Sequence, residues 1–288
     1  MREASAADQR AAQGHPAGAS LAPPPIFFRQ RLWPANEIAG MAMSQWEALG
    51  EPFRAASQLT AMVMANHPEA IALFFALSAC QAPILLLAPE PRSWRTSPPV
   101  PHGTRLVLTP AFAHLERQAA DLGLCVRAAP GPATVVRNRA LPFLTCPGLV
   151  VLTSGSTGVP RPVHRSISSL IAASSALAEA LRFPDAAGVV AALPLDRAYG
   201  LNNSLMVATV LQRPLGLLER FVHNDMLSLC ERGTYWYWAG TPVMADILSR
   251  SQLSGPVRMP PICSFAGRLS ASVCGAFEAR FGTRLRQI

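Results

Sequence analysis

The chain has 288 residues, 50% hydrophobic and 15% charged, and its formal charge of +8 comes from 25 arginines with no lysine at all. These proportions exclude a disordered polyelectrolyte and provide for a sizeable buried core, in one large domain or about two. The 19 glycines and 27 prolines follow no triplet period, so the chain is not collagen-like, and without lysine no chemistry that needs an amine side chain runs on these residues alone.

Residues 1–25 are rich in Ala, Gly and Pro and lack an apolar signal segment; a loose, disordered tail is expected. From residue 59 short apolar runs alternate with helical stretches. Residues 59–65 read as a strand. Asn66 stands where a cap belongs, for a helix reaching about residue 81 with Pro68 in its first turn. Residues 84–88 form the next strand. The apolar stretch 70–88 is interrupted by Ser78, Gln81 and Pro83, which argues for a buried helix and then a buried strand, with no membrane span.

Residues 105–109 (strand), 110–122 (helix) and 124–127 (strand) repeat the unit. Residues 149–153 form a short apolar strand that runs into a Gly/Ser/Thr loop. A helix over 166–182 places Ile167, Leu170, Ile171, Ser174, Ala178 and Leu181 on one face. There follow a strand (189–193), a helix (201–211), a strand (215–218), a helix (224–232, capped by Asn224) and an aromatic strand (234–238). A helix (242–250), a strand (262–265) and a helix (270–281) ending at Gly282 complete the series. The alternation predicts one more strand beyond Gly282. Prolines mark 98–101 and 130–132 as loops. The fold class expected is α/β, with mostly parallel sheets covered by helices on both faces.

The arginines are spread along the chain and never interleave with exposed aromatics, so nucleic acid is not the expected partner. The six cysteines show no C-x-x-C and no metal spacing, as in a reduced, cytoplasmic protein. None of the six histidines forms a metal set or a triad, and no Gly-x-Ser-x-Gly elbow is present. No catalytic residue and no metal ligand is assigned. His164 stands out only by its place after the loop. Arg197 is expected to pair with Asp196 or another carboxylate, the alternative being an anionic part of the substrate.

The loop is the informative segment. It runs Thr153, Ser154, Gly155, Ser156, Thr157, Gly158, Val159, Pro160, Arg161. Glycines let backbone N–H groups turn inward as an anion-binding nest, the hydroxyls add donors, and Arg161 adds charge suited to a polyphosphate. The spacing is not that of a Walker loop, and by composition alone the run reads as readily as an ordinary surface turn. Its wording, T-S-G-S-T-G-x-P-R, resembles the phosphate-loop signature of the adenylate-forming (AMP-binding) superfamily, which includes acyl- and aryl-CoA synthetases and adenylation domains. That signature usually ends Pro-Lys, where Arg161 stands here. Residues 194–201 (P-L-D-R-A-Y-G-L) resemble the family's acyl-pocket segment, and 240–243 (G-T-P-V) its strand-to-helix turn. The stretches 264–270 and 277–287 resemble the approach to the adenine loop, with Phe265 and Arg268 replacing a small residue and a proline.

The resemblance implies stacked, mostly parallel sheets, as in the large N-terminal domain of those enzymes. It implies ATP and Mg²⁺ as cofactors, and a carboxylic acid activated as acyl-AMP and passed to CoA or an acyl-carrier protein. Thr153, Ser154, Gly155, Ser156, Thr157, Gly158 and Arg161 would hold the phosphates. Tyr199, Gly200, Trp238 and Thr241 would border the acyl pocket. The family's later Tyr-Gly-x-Thr-Glu segment, whose Glu holds Mg²⁺, and its lysine-bearing C-terminal domain have no counterpart here. Residues 26–288 are therefore expected to be an incomplete, truncated N-terminal AMP-binding domain. Alone it is expected to be a poor catalyst, completed by a separate polypeptide. The alternative expectation is a non-catalytic nucleotide- or acyl-binding remnant, or a partner-docking module.

Overall fold

The computed structural model describes residues 21–90, 94, 100–131, 141, 143–152, 161–185, 187–252 and 259–287. Two sheets organise them. The first has seven strands. Its middle is β9 (Gly188–Ala191), flanked on one side by β10 (Leu215–Leu217), β1 (Ile26–Phe28) and β2 (Arg31–Trp33). On the other side lie β11 (Tyr235–Gly240), β12 (Ile262–Phe265) and β13 (Leu285–Gln287). All pairs are parallel except β1 with β2. The second sheet runs β6 (Cys125–Ala128), β5 (Arg105–Leu108), β3 (Thr60–Val63), β4 (Ile84–Leu87), β7 (Leu149–Leu152), β8 (Pro162–Arg165). It is parallel except where β8 returns beside β7. Every residue of β3, β4 and β9 is buried, as strands covered on both faces require. The expected α/β class is what the chain adopts.

A single apolar cluster joins the inner faces of both sheets. It takes Met62, Ile84 and Leu86 from the second sheet and Val189, Ala191, Leu215 and Tyr237 from the first. Between them lie α1 (Ala35–Leu49), α3 (Pro68–Ser78) and α5 (Ile167–Leu181). Helix α2 (Glu51–Ala55) follows α1 directly. Helix α3 is buried all round except at Glu69, as expected for a helix that is apolar on every face. The outer face of the first sheet, through Val190, Trp238, Cys263 and Phe265, is covered by α8 (His223–Arg232), α9 (Pro242–Arg250) and α10 (Ala271–Phe281). The outer face of the second sheet packs Leu85, Leu106 and Leu108 on Leu115 and Ala119.

Five expectations need correction. The element over 110–122 divides into a 3₁₀ turn (Pro110–Leu115) and α4 (Glu116–Asp121). Asn66 does not cap α3; His67 does, its Nδ1 accepting from Glu69 N at 3.3 Å. Helix α8 begins at His223 without a side-chain cap from Asn224. Strand β11 reaches Gly240, two residues beyond the aromatic run. The strand expected beyond Gly282 is β13, at a sheet edge. The hairpin β1–β2 and helices α1 and α2 were not anticipated. Of the expected tail 1–25, residues 1–20 lie outside the described residues, while 21–25 are ordered against the fold, with Leu21 buried and Pro25 O accepting from Leu215 N at 2.9 Å. Residues 98–99 and 132 of the expected loops and residues 153–160 of the expected phosphate loop also lie outside the described residues.

Candidate functional site

The carboxyl ends of parallel strands from both sheets converge on one crevice of about 720 Å³. Residues that follow β3 (Met64, Asn66, His67), β4 (Ala88, Glu90), β9 (Ala192, Asp196, Arg197) and β10 (Glu219, Arg220) line it. In α/β folds this edge is where the connections diverge and ligands sit, and the volume suits a nucleotide-sized molecule.

Asn66 holds the crevice together. Its side chain is buried, with Nδ2 donating to Leu193 O at 3.0 Å and Leu218 O at 2.8 Å. Its Oδ1 accepts from Leu195 N at 3.0 Å. One amide thus ties the end of β3, in one sheet, to the ends of β9 and β10 in the other. No short-range pattern marks this role, because the partners are 127 to 152 residues away.

Charge in the crevice is mixed. Arg29 pairs with Glu219. Glu69 Oε2 accepts from Ala111 N at 3.1 Å. Arg197 Nε lies 3.1 Å from Asp196 Oδ2, the pairing expected from the sequence. Burial pushes the Asp196 carboxyl above the usual aspartate range, and the Arg197 guanidinium pulls it part of the way back.

His67 is half-buried between the Phe28 and Phe112 rings, at 5.2 and 6.1 Å. Desolvation lowers its pKa below 6.5, against the attraction of Glu69. Its cap also needs an unprotonated Nδ1. The unfolded chain therefore binds more protons just below pH 6.5, and stability is lost as pH falls from 6.5 through the lowered folded value. Urea unfolding from pH 7 to 5 should show this loss, and His67→Asn, which keeps a cap without titrating, should reduce it. Equal slopes for the two proteins would refute the assignment.

The predicted phosphate loop is framed from both sides. Strand β7 is the parallel neighbour of β4, so Leu152 ends on the crevice edge, one strand from Leu87. Leu152 pairs with Pro162, which closes the base of segment 153–161. Thr153, Ser154, Gly155, Ser156, Thr157 and Gly158 lie outside the described residues. Arg161 is exposed at the entry to β8, and His164 pairs with Val150 on that strand.

The four predicted pocket residues separate. Tyr199 lies in the first turn of a helical passage made of α6 (Ala198–Gly200), a π-helical segment (Leu201–Met206) and α7 (Val207–Leu211). Its hydroxyl is 3.2 Å from Ser264 Oγ, which also meets the Tyr237 hydroxyl at 2.5 Å. Trp238 faces the other side of the sheet, fully buried with its ring 5.1 Å from Phe265. Phe265 points the same way, into the outer core and away from Ser264. Thr241 caps α9, its hydroxyl accepting from Met244 N at 3.4 Å.

Gly200 is packed so closely that an added Cβ would lie 2.3 Å from Pro194 O. Gly200→Ala should therefore destabilise the chain by about 1–3 kcal/mol, read from the denaturant midpoint, and an unchanged midpoint would contradict this packing. The sequence reading did not single out Ser264, or Tyr237 in place of Trp238. The signal available was the period of two along β11 and β12.

Among the described residues no group of three His, Cys, Asp or Glu side chains suits a metal ion, and no helix is long and apolar enough to cross a membrane. All six cysteines are free thiols.

The model of one family, described as AMP-binding enzyme, matches residues 56–288. Solved structures share the fold. ATP-bound MatB from Rhodopseudomonas palustris superposes with a TM-score of 0.70 at 18% identity, over 94% of this chain and 57% of its own. The amide bond synthetase McbA from Marinactinospora thermotolerans gives 0.71 at 20%, over 94% and 57%. The inhibitor-bound N-terminal domain of FACL13 from Mycobacterium tuberculosis gives 0.70 at 16%, over 97% and 73%. The chain thus spans little more than half the length of the first two. No curated protein matches it in sequence.

Proposed function

The chain belongs to the AMP-binding enzyme family, and from that premise we propose that it binds ATP and a carboxylic acid for adenylation. A carboxylate oxygen would form a bond to the α-phosphorus of ATP while the bond from that phosphorus to the bridging oxygen breaks, so that acyl-AMP forms and pyrophosphate leaves. The acyl group would then pass to a thiol, of CoA or of a carrier protein.

The observation that carries the reading is the crevice where strand ends of both sheets meet, with β7 ending beside β4 at Leu152, the residue before the hydroxyl- and glycine-rich stretch of the sequence. Thr153, Ser154, Gly155, Ser156, Thr157, Gly158 and Arg161 would grip the β- and γ-phosphates through backbone N–H groups, hydroxyls and one guanidinium. Mg²⁺ bound to ATP would neutralise phosphate charge; the described residues offer it no cluster of three His, Cys, Asp or Glu ligands. Tyr199 and its surroundings would border the acyl group. Cytoplasmic residence belongs to the same proposal.

The carboxylate and the triphosphate are both anions and repel, so the reaction needs cations where charge develops. With no lysine in the chain, these 288 residues alone should support only slow carboxylate-dependent ATP–pyrophosphate exchange. The deciding experiment is calorimetric titration with MgATP followed by pyrophosphate. One ATP per chain, displaced by pyrophosphate, is expected. A chain that binds neither, or holds ATP against saturating pyrophosphate, overturns the reading.

A further inference from the structure

Three hydroxyl groups meet on the inner face of the first sheet, from α6, β12 and β11. Ser264 Oγ stands at the centre, 2.5 Å from the Tyr237 hydroxyl and 3.2 Å from that of Tyr199. Ser264 is 1% exposed, Tyr237 fully buried and Tyr199 half-buried. The direction of the hydrogen bonds follows from proton accounting. Three hydroxyls bring three protons to a chain with two links. Among the described residues the Tyr237 hydroxyl meets only Ser264, so its proton is donated there. The Ser264 hydroxyl meets only the two tyrosines, so its proton goes to Tyr199. The Tyr199 proton is then left over, on the one member of the three that is not fully enclosed. Burial raises both tyrosine pKa values, so the groups stay protonated at neutral pH.

Among the described residues that proton meets no acceptor, and a partly desolvated donor left so is costly unless a ligand supplies one. Resting on the reading that the acyl group lies beside Tyr199, we propose that the Tyr199 hydroxyl donates to a hydrogen-bond acceptor carried by the acid, in addition to its carboxylate. The substrate class is then a short acid with a carbonyl, ether, hydroxyl or ring nitrogen, and simple alkyl acids bind less tightly because they leave the donor unpaired. A site built to bond a polar group discriminates strongly against the analogue that lacks it. Ser264 and Tyr237 act as positioning residues: they orient the Tyr199 proton and do not touch the acid.

The chain holds only three tyrosines, Tyr199, Tyr235 and Tyr237, so labelling with [ζ-¹³C]tyrosine yields three assignable signals. Ser264→Ala should move the Tyr199 and Tyr237 signals and leave that of Tyr235. Calorimetry in saturating MgATP then compares 4-oxopentanoate with pentanoate, and pyridine-3-carboxylate with benzoate. In at least one pair the acceptor-bearing acid should bind about tenfold more tightly and move the Tyr199 signal. Tyr199→Phe, which keeps the ring, should abolish that difference.

Failure of MgATP to bind would overturn the ligase reading and this proposal with it. ATP bound normally, with both pairs undiscriminated, no acid bound, or discrimination intact in Tyr199→Phe, would overturn this proposal alone. A Ser264→Ala variant that leaves all three signals in place would show that the hydroxyl chain is absent.

Discussion

Asn66→Ala should lower the stability of the chain by at least about 3 kcal/mol, a large share of the roughly 5–15 kcal/mol that holds a typical protein folded. The substitution leaves three buried backbone groups without partners: the carbonyls of Leu193 and Leu218, and the N–H of Leu195. Each stranded group costs about 1–3 kcal/mol, because water cannot replace the lost bond in a closed space. The cavity left by the amide adds to this. Asn66→Asp tests the direction of the bonds: it keeps an acceptor for Leu195 N but sets a carboxylate against two carbonyl oxygens, and it should be at least as damaging. Urea midpoints of the three proteins decide the matter. A loss below about 1 kcal/mol in Asn66→Ala would mean that this amide does not tie the sheets together.

Ser156→Ala combined with Thr157→Ala should weaken MgATP binding at least about a hundredfold. A hydrogen bond to a charged phosphate is worth about 1.5–3 kcal/mol, and about 1.4 kcal/mol is tenfold in affinity. The substitutions leave Gly155, Gly158 and every backbone N–H in place, so the loss reports the hydroxyls themselves. Arg161→Ala removes charge and should add a salt-dependent loss, since an exposed guanidinium acts through a field that salt screens. An unchanged dissociation constant in the double variant would remove the loop from the phosphate site.

The two sheets could be read from the chain because buried parallel strands carry their own signature. Runs such as Ile84–Leu87 and Leu149–Leu152 are apolar without alternation, and helices with one apolar face separate them. The hairpin β1–β2 left no such trace. Its strands have three residues each, and the turn uses Arg29 and Gln30 at positive φ, where a hairpin usually shows Asn or Gly. Helix α1 did carry a spacing, with Ile38, Met41, Ala42, Gln45 and Leu49 on one buried side, but its small residues diluted the apolar contrast.

The site divides in the same way. Segment 153–161 stands out by the order of its residues, because hydroxyls, glycines and a cation in that sequence resemble a phosphate-loop signature. Asn before His-Pro-Glu has the local meaning of a helix cap, but the partners of Asn66 come from chain segments far away, which local spacing does not encode. Trp238 and Phe265 drew notice as large aromatics, yet the period of two sends both into the outer core. The smaller Ser264, on the opposite face, joins the tyrosines. Local chemistry was readable, and long-range juxtaposition was not.

The most direct test is a crystal structure of the chain grown with MgATP. The account predicts the triphosphate seated between β7 and β8, its β- and γ-phosphate oxygens against the backbone and hydroxyls of residues 153–158. A triphosphate found instead on Arg29 and Arg220, away from that segment, would contradict it.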